Sequence, residues 1–583
     1  MQKEVYEFVS KEMNDPILQW KKCRVSWKVF PIFQSEHVFL KNISPTFAWK
    51  TFLVPYPTLC PELRHMRRMC FRNDRSLYKR NCDATGKWVI SMFHPQAPFV
   101  VYDKEYRWGD TWSAFDYGVD FDERRGFFDQ FGQLFHNVPL PSLLNSNSEL
   151  SDYVNQTDSM KSCYLMYSCC RDEHCYFGNR AFDCSYCLDC SVAYNCQHCY
   201  QCIDIHDCYQ CFWGEGLLAC RDSYFLFDCH DCHHCFGCWN LRAASFCVFN
   251  QQYSETEYFQ KISQRIGDLG SRSKSGQVIA LCHKKIREHA AYHATRQTLS
   301  ENSFGGFLFA SKNIFACYEW GDLEDCHYGL MLHNAKNVMD NNNSTWSQRQ
   351  YEVSTGGLWW YNDLFCLDVW PGVTDSYYSA FCASSDHLFG CVGLKNASYC
   401  VLNKQYNKLD RERLVGDIIE HMMSSAQSQK ISERWEFFDP SMSPFGINES
   451  AAYEYFPVEK TQALARWFPW RDRDLSHVAI QILLADHIDD IAINKAGTVL
   501  TCEVSGRWFS LTPQELSFYK QHRLSVPSKH PDIRHLERFH QRPARDLHLR
   551  KCDKTGEKMI CVYGNEDKRK ILSDEAYKQE VYG

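Results

Sequence analysis

Between Cys163 and Cys247 lie 18 of the chain's 32 cysteines, and all but Cys170 fall on one phase of a three-residue repeat. A pleated strand cannot hold them on one face, because its side chains alternate and a step of three changes face. A helix with three residues per turn does not run that long. A chain that turns a corner between successive inward positions satisfies the spacing. Stacking fixes the coil length at twelve. One column then reads Cys163, Cys175, Cys187, Cys199, Cys211, Ser223, Cys235 and Cys247, and a second reads Cys184, Cys196, Cys208, Cys220 and Cys232. The residue before the second column is Asp183, Asn195, Asp207 or Asp231 in four of five coils, and Asx residues suit tight corners. The residue after the first column is mostly aromatic, with Tyr200, Phe212 and Tyr224 at its centre. Such a ladder has rungs about 4.8 Å apart when coils pair as strands do.

A second block follows. Residues 236–253 match 389–406 at 11 of 18 positions, and the step of three persists upstream of the second copy with most cysteines replaced by Ser, Leu or Ala. Each block ends in a helical pattern: Ser254 to Glu257 forms a capping box, and Asn407 opens the other. These patterns predict a mainly β protein, a Cys-lined β-solenoid of about twelve residues per coil in two blocks with capping helices. Two small duplicated α+β modules resembling zinc ribbons flank it. The expected divisions are 1–150 (N-terminal module and aromatic extension), 151–253 (first block), 254–304 (helical insertion), 305–406 (second block), 407–475 (helix and aromatic connector) and 476–583 (C-terminal module).

The amino terminus is polar, with no apolar signal core, and no stretch is apolar enough to span a membrane. A cytoplasmic, reducing setting is therefore expected, in which clustered cysteines point to metal or free thiols before disulfides. Cys184, Cys187, Cys196 and Cys199 have the spacing of a four-sulfur zinc site, and Cys208 with Cys211 extends the pattern. The triplet Cys184, Cys187 and Cys190 and the quartet Cys229, Cys232, Cys235 and Cys238 have the short spacing of iron–sulfur ligands, and Cys202 is a further candidate ligand in the same phase. The bland reading is that these are packed thiols acting as small hydrophobes. No nucleotide-binding loop, serine nucleophile elbow or zinc-protease helix occurs, so an enzyme is the less favoured expectation.

The two ends are copies. Residues 60–90 align with 530–560 at a constant offset of 470, pairing Cys60 with His530, His65 with His535 and Cys70 with His540, while Cys23 corresponds to Cys502 upstream. Exchange between Cys and His at matched places is what zinc tolerates. Arg64, Arg68 and Arg72 fall on one helical face, mirrored by Arg534 and Arg538. A basic face beside a zinc module suits phosphate or nucleic acid; a solvated face is the alternative. The net charge of -7 argues against a generic polyanion binder.

CP-x-x-R-H at Cys60, the RN-x-R-x-LYKR-x-CD-x-TGK run, WGDTWSAFDYGVDFDERRGFFDQF, the FGC…QY repeat ends and SPFGINESAAYEYFP together resemble a group of uncharacterised cysteine-rich, zinc-ribbon-like repeat proteins of candidate-phyla bacteria. That resemblance implies C-x-x-C pairs at the ends, where this chain has Ser26, Leu63, Ser505 and Ile533 at the second positions. The functional expectation is a non-enzymatic, metal-binding scaffold, with zinc as the metal, for a protein partner or for self-association. An iron–sulfur or thiol redox protein and a nucleic-acid binder are the alternatives.

Overall fold

A computed structural model describes residues 1–356, 359–424, 435–472 and 484–583; part of the expected 407–475 connector lies outside the described residues. Backbone handedness generates the three-residue repeat. Each inward residue is preceded by one at positive φ, for example Asp183 (58°), Tyr186 (53°), Asp189 (54°), Val192 (57°) and Asn195 (53°). Left-handed backbone costs an L-residue about 1–2 kcal/mol, least for Asn and Asp, so something must hold it there. Parallel pairing does so. Tyr164 bridges Tyr176, Tyr176 bridges Leu188, Leu188 bridges Tyr200, and Tyr200 bridges Phe212, always twelve residues apart. The outward residue donates to the carbonyl eleven ahead (Tyr164 N–H to Cys175 O, 3.1 Å), and the left-handed residue donates thirteen back (Phe177 N–H to Tyr164 O, 3.0 Å).

The expectation of a mainly β solenoid fold is nevertheless overturned. Helix makes up 27% of the chain against 31% strand, the strands fall into many short sheets of two to six, and no closed solenoid forms. The cause is local: a left-handed residue at every third position interrupts extended backbone after each short side, so pairing appears as isolated bridges and four-residue strands such as Ile203–His206 and Glu215–Leu218. Helices of the ends and insertions contribute nearly as much structure. In the later ladder the step also drifts, from eleven (Glu301 to Lys312) through twelve (Leu323 to Ala335) to thirteen (Ser347 to Trp360) and back to twelve (Thr374 to Asp386).

Each ladder ends on an asparagine. Asn250 Oδ1 accepts the Trp239 N–H and its amide donates to Trp239 O, both at 2.9 Å. Asn403 treats Val392 identically at 2.8 Å. The side-chain amide thus replaces the missing next rung. Helices Glu255–Leu269 and Lys408–Ser424 follow, the first opened by the Ser254–Glu257 capping box.

The duplicated ends contain four copies of one unit, two at each end: an antiparallel hairpin with a cysteine in its turn, then a helix. The cysteines are Cys23, Cys82, Cys502 and Cys552; the helices are Pro61–Met69, Lys104–Trp108, Pro531–Gln541 and Asp574–Val581. In each, the residue after the cysteine donates its N–H to the carbonyl two before the helix N-cap: Arg24 to Thr58, Asp83 to Val101, Glu503 to Ser528 and Asp553 to Ile571, at 3.0–3.2 Å.

The two arginine helices dock on the ladders in the same way. In Pro61–Met69, Arg64 pairs with Asp340 at 2.6 Å and Arg68 with the same aspartate at 3.4 Å. In Pro531–Gln541, Arg534 pairs with Asp189, and Arg538 with the same aspartate at 2.9 Å. Both aspartates are fully buried and both sit at left-handed corners, φ 54° and 55°. The N-terminal end therefore clamps the later ladder and the C-terminal end the earlier one. Removing one partner from a buried ion pair strands the other charge and costs about 3–5 kcal/mol. Asp189→Asn and Asp340→Asn should each lower unfolding stability by an amount in that range in denaturant titration; a loss under about 1 kcal/mol would show that the clamp is dispensable.

Candidate functional site

The inward residues form the first site to test. Outside the named strands the ladder uses the N–H of each outward and each left-handed residue, leaving that of the inward residue. The inward side chain one coil earlier takes it. Met166 Sδ accepts from Gly178 N–H at 3.0 Å, Cys169 Sγ from Ala181 at 3.3 Å, Cys175 from Cys187 at 3.4 Å, and Cys202 from Gly214 at 3.3 Å. Oxygen does the same where sulfur is absent: Asp172 accepts from Cys184 at 2.9 Å and Ser223 from Cys235 at 3.1 Å. In the later ladder Cys317, Asp363 and Ser385 accept from Gly329, Ser376 and Ala397 at 3.0–3.2 Å. The thiols donate in turn to carbonyls, as Cys202 does to Cys211 O at 3.2 Å and Cys220 to Cys229 O at 3.2 Å. Burial pushes the Cys169 and Cys175 thiols up, Cys175 to about 11.

All 32 cysteines are free thiols, and only Cys170 is not buried. Among the described residues no group of three or more His, Cys, Asp or Glu is arranged to hold a metal ion. The expected ligands Cys184, Cys187, Cys190, Cys196, Cys199, Cys202, Cys208, Cys211, Cys229, Cys232, Cys235 and Cys238 line the coils, but the structure does not bring them together as coordination spheres.

The terminal set is likewise dispersed. Cys60 is the N-cap of Pro61–Met69 and Cys70 its C-cap, with His65 between them turned to Asn342 Oδ1 at 3.3 Å. Cys60 does meet Cys23: its thiol bonds to Cys23, lowering the Cys23 pKa and raising its own, and Ser26 Oγ lies 3.4 Å from it. A structural zinc takes four ligands; Ser26 and Leu63 occupy the other two places, so the residues present do not fit one. At the other end Cys502 faces the backbone of His530, whose ring accepts the Asp532 N–H at 3.0 Å. His535 pairs with Glu454 at 3.1 Å, and His540 is exposed. Cys60 and His65 instead help line a cleft of about 270 Å³ with Tyr318, Tyr328 and Arg545.

The surface-binding residues are mostly covered. Tyr200 packs on Phe518 and Tyr519, and Phe212 on His522, beneath the helix Pro513–His522; Tyr224 stacks on Phe212 at 4.8 Å. Arg64, Arg68, Arg72, Arg534 and Arg538 are buried, which removes them from a phosphate backbone. Arg72 pairs with Asp74 at 2.7 Å, and the partners of the other four, Asp189 and Asp340, carry no metal or phosphate signature in the sequence. A corner signal was available for the first, since Asp189 precedes inward Cys190 at the corner position where Asx is favoured.

No protein-family model matches the chain, and no curated protein matches it.

Two outcomes follow from the hydrogen bonding of the thiols. Cys202→Ser keeps an acceptor for the Gly214 N–H, whereas Cys202→Val strands it at about 1–3 kcal/mol; chemical denaturation should rank serine well above valine, and the reverse order would refute the acceptor role. At Cys552, burial pushes the thiol up, but bonds from Thr555 and the Ser573 N–H outweigh it and bring the pKa to about 7. Mass-resolved alkylation of the native protein near neutral pH should therefore label Cys552 before Cys169 or Cys175; equal rates would contradict the assignment.

Proposed function

We propose that this chain is a non-enzymatic interaction scaffold whose thiols belong to its frame. The observation that supports the reading is the commitment of the inward sulfurs to backbone hydrogen bonds, each as acceptor for an N–H or donor to a carbonyl. Clamping of both ends by buried ion pairs makes the frame one packed body. Its contact points for a protein partner are the hairpin tips. Trp88 and Trp508 occupy the same place, six residues after the hairpin cysteine, and both are exposed. Trp27 is exposed in the first hairpin. Lys22 lies 4.7 Å over the Trp27 ring and Lys79 lies 5.5 Å over Trp88, so these two tips present a cation beside an indole, and large exposed aromatics of this kind serve at protein interfaces.

Metal and thiol quantification on protein purified under reduction tests the frame. The expected result is less than one zinc or iron per chain, with every cysteine titrating in denaturant; stoichiometric metal would replace the scaffold reading with a metalloprotein. Photo-crosslinkers at positions 88 and 508 test the contact points. Both should trap the same polypeptide, and trapping no more than a probe on the exposed Leu299, outside the hairpins, would remove the tips from the proposal.

A further inference from the structure

A second cleft, about 260 Å³, lies where the N-terminal end meets the later ladder and the first turn of the helix Lys408–Ser424. Its cationic lining is Arg349, Lys408 and Arg411, with His387 beside them; Asp375 and Glu412 are the carboxylates. Arg411 is the unusual member. It is 2% exposed, its Nε has no hydrogen-bond partner among the described residues, and its Nη2 makes a long 3.5 Å contact to Leu388 O. Among the described residues no carboxylate lies within ion-pair distance of it, in contrast to the buried Arg64, Arg67, Arg68, Arg534, Arg538 and Arg542. A stranded buried guanidinium costs several kcal/mol, and the cation contact with Phe47, 5.1 Å to the ring centroid, offsets only part of that.

Arg349 repeats the pattern in the same cleft. Its Nε is also unpartnered, while its Nη2 is anchored to Asn42 O at 2.7 Å, which holds the guanidinium in place. Asn362 Oδ1 is a buried acceptor without a donor, although its amide is fixed by Asp375 at 2.7 Å. Two unpaired guanidinium donors and one unpaired acceptor thus line a single cleft. The helix contributes as well: Asn407 caps the Asp410 N–H at 3.0 Å, and the preceding amides of a helix start have no partner within the helix.

We propose that this cleft is a binding site for a small phosphate-bearing ligand, its oxygens taken by Arg411, Arg349 and Lys408 and a protonated or hydroxyl oxygen by Asn362 Oδ1. Arginine forks match phosphate geometry, and a charge-assisted bond contributes about 1.5–3 kcal/mol. The volume exceeds that of a lone phosphate, which leaves room for a small esterified group. This site does not depend on the interaction surface proposed above.

Isothermal titration calorimetry on the full chain, with inorganic phosphate and with glycerol 3-phosphate against chloride at matched ionic strength, tests the proposal. Saturable binding at one site is expected, weakened about tenfold or more by Arg349→Gln and by Lys408→Gln, as loss of one charge-assisted bond implies. Neither residue is buried in the frame, so these variants remain informative if Arg411→Gln fails to fold. Tighter binding of the ester than of free phosphate identifies the ligand as a phosphate monoester, and the reverse identifies it as phosphate itself. Absence of saturable binding of both up to about 10 mM, or binding unchanged in Arg349→Gln and Lys408→Gln, overturns the site.

Discussion

The structure turns on one unpaired backbone group. A coil that places a left-handed residue before each inward residue uses the N–H of two residues in three for its ladder and leaves the third pointing where no carbonyl waits. A buried N–H without a partner costs about 1–3 kcal/mol, and the cost recurs at inward positions outside the named strands. The remedy is a side chain with an acceptor at the γ position, small enough for a narrow interior. Cysteine, serine and aspartate meet both conditions, and they recur in these columns. Sulfur is the weaker acceptor, but its thiol is nearly as easily buried as a methyl group, so cysteine satisfies the backbone with the least desolvation. The distances agree: 3.2–3.4 Å to sulfur and 2.9–3.1 Å to oxygen serve the same geometric role.

The same backbone rule creates the docking points for the ends. A left-handed corner favours Asx, and a carboxylate at a corner is available to a neighbour rather than to the coil interior. Asp189 and Asp340 are such corners, and each receives two arginines from equivalent helices. Duplication of the ends and of the ladders thus reused one joint. The first and last parts of the chain cross over, each clamping the ladder remote from it in sequence. Glu319 extends the second joint, gathering Arg180, Arg542 and Arg545. Those three positive charges hold the Glu319 carboxyl well below the usual carboxylate range even though it is buried.

Much of this was legible in the residues, and the losses have physical causes. The period of three and the step of twelve could be read because only a turning chain keeps Cys184, Cys187 and Cys190 in one phase. The secondary-structure balance could not be read from the same pattern, because spacing records where side chains point and not whether the backbone between them stays extended. The terminal duplication was visible from Cys60 to Gly86, but its four-fold character was not: Cys82 and Cys552 belong to units whose helices begin with Asp103 and Ser573, residues that carry no metal signature. The arginine face misled for a related reason. Periodicity places Arg64, Arg68 and Arg72 together, yet a basic stripe facing solvent and one facing Asp340 look alike until the acidic partner, 276 residues away from Arg64, is known.

The thiols show how one spacing can serve opposite chemistries. Zinc or iron requires thiolates; bonds from Cys199 and Cys208 bring the Cys211 thiol down to about 6, while at Cys169 and Cys175 deprotonation is opposed by burial. It would also remove the S–H that now reaches a carbonyl. A metal pulling four sulfurs into a tetrahedron would further withdraw each from the N–H it serves, so every site gained would leave several backbone donors stranded at about 1–3 kcal/mol each. Regular C-x-x-C spacing thus follows from the backbone here, since every third residue is inward and many of these positions supply an acceptor, while Ala181, Ala193, Ile205 and Leu217 fill the strand side. The later ladder makes the point independently: with Ser376, Ser379 and Ser385 in place of cysteine it keeps the parallel pairing, as expected when the frame requires an acceptor atom and not specifically sulfur.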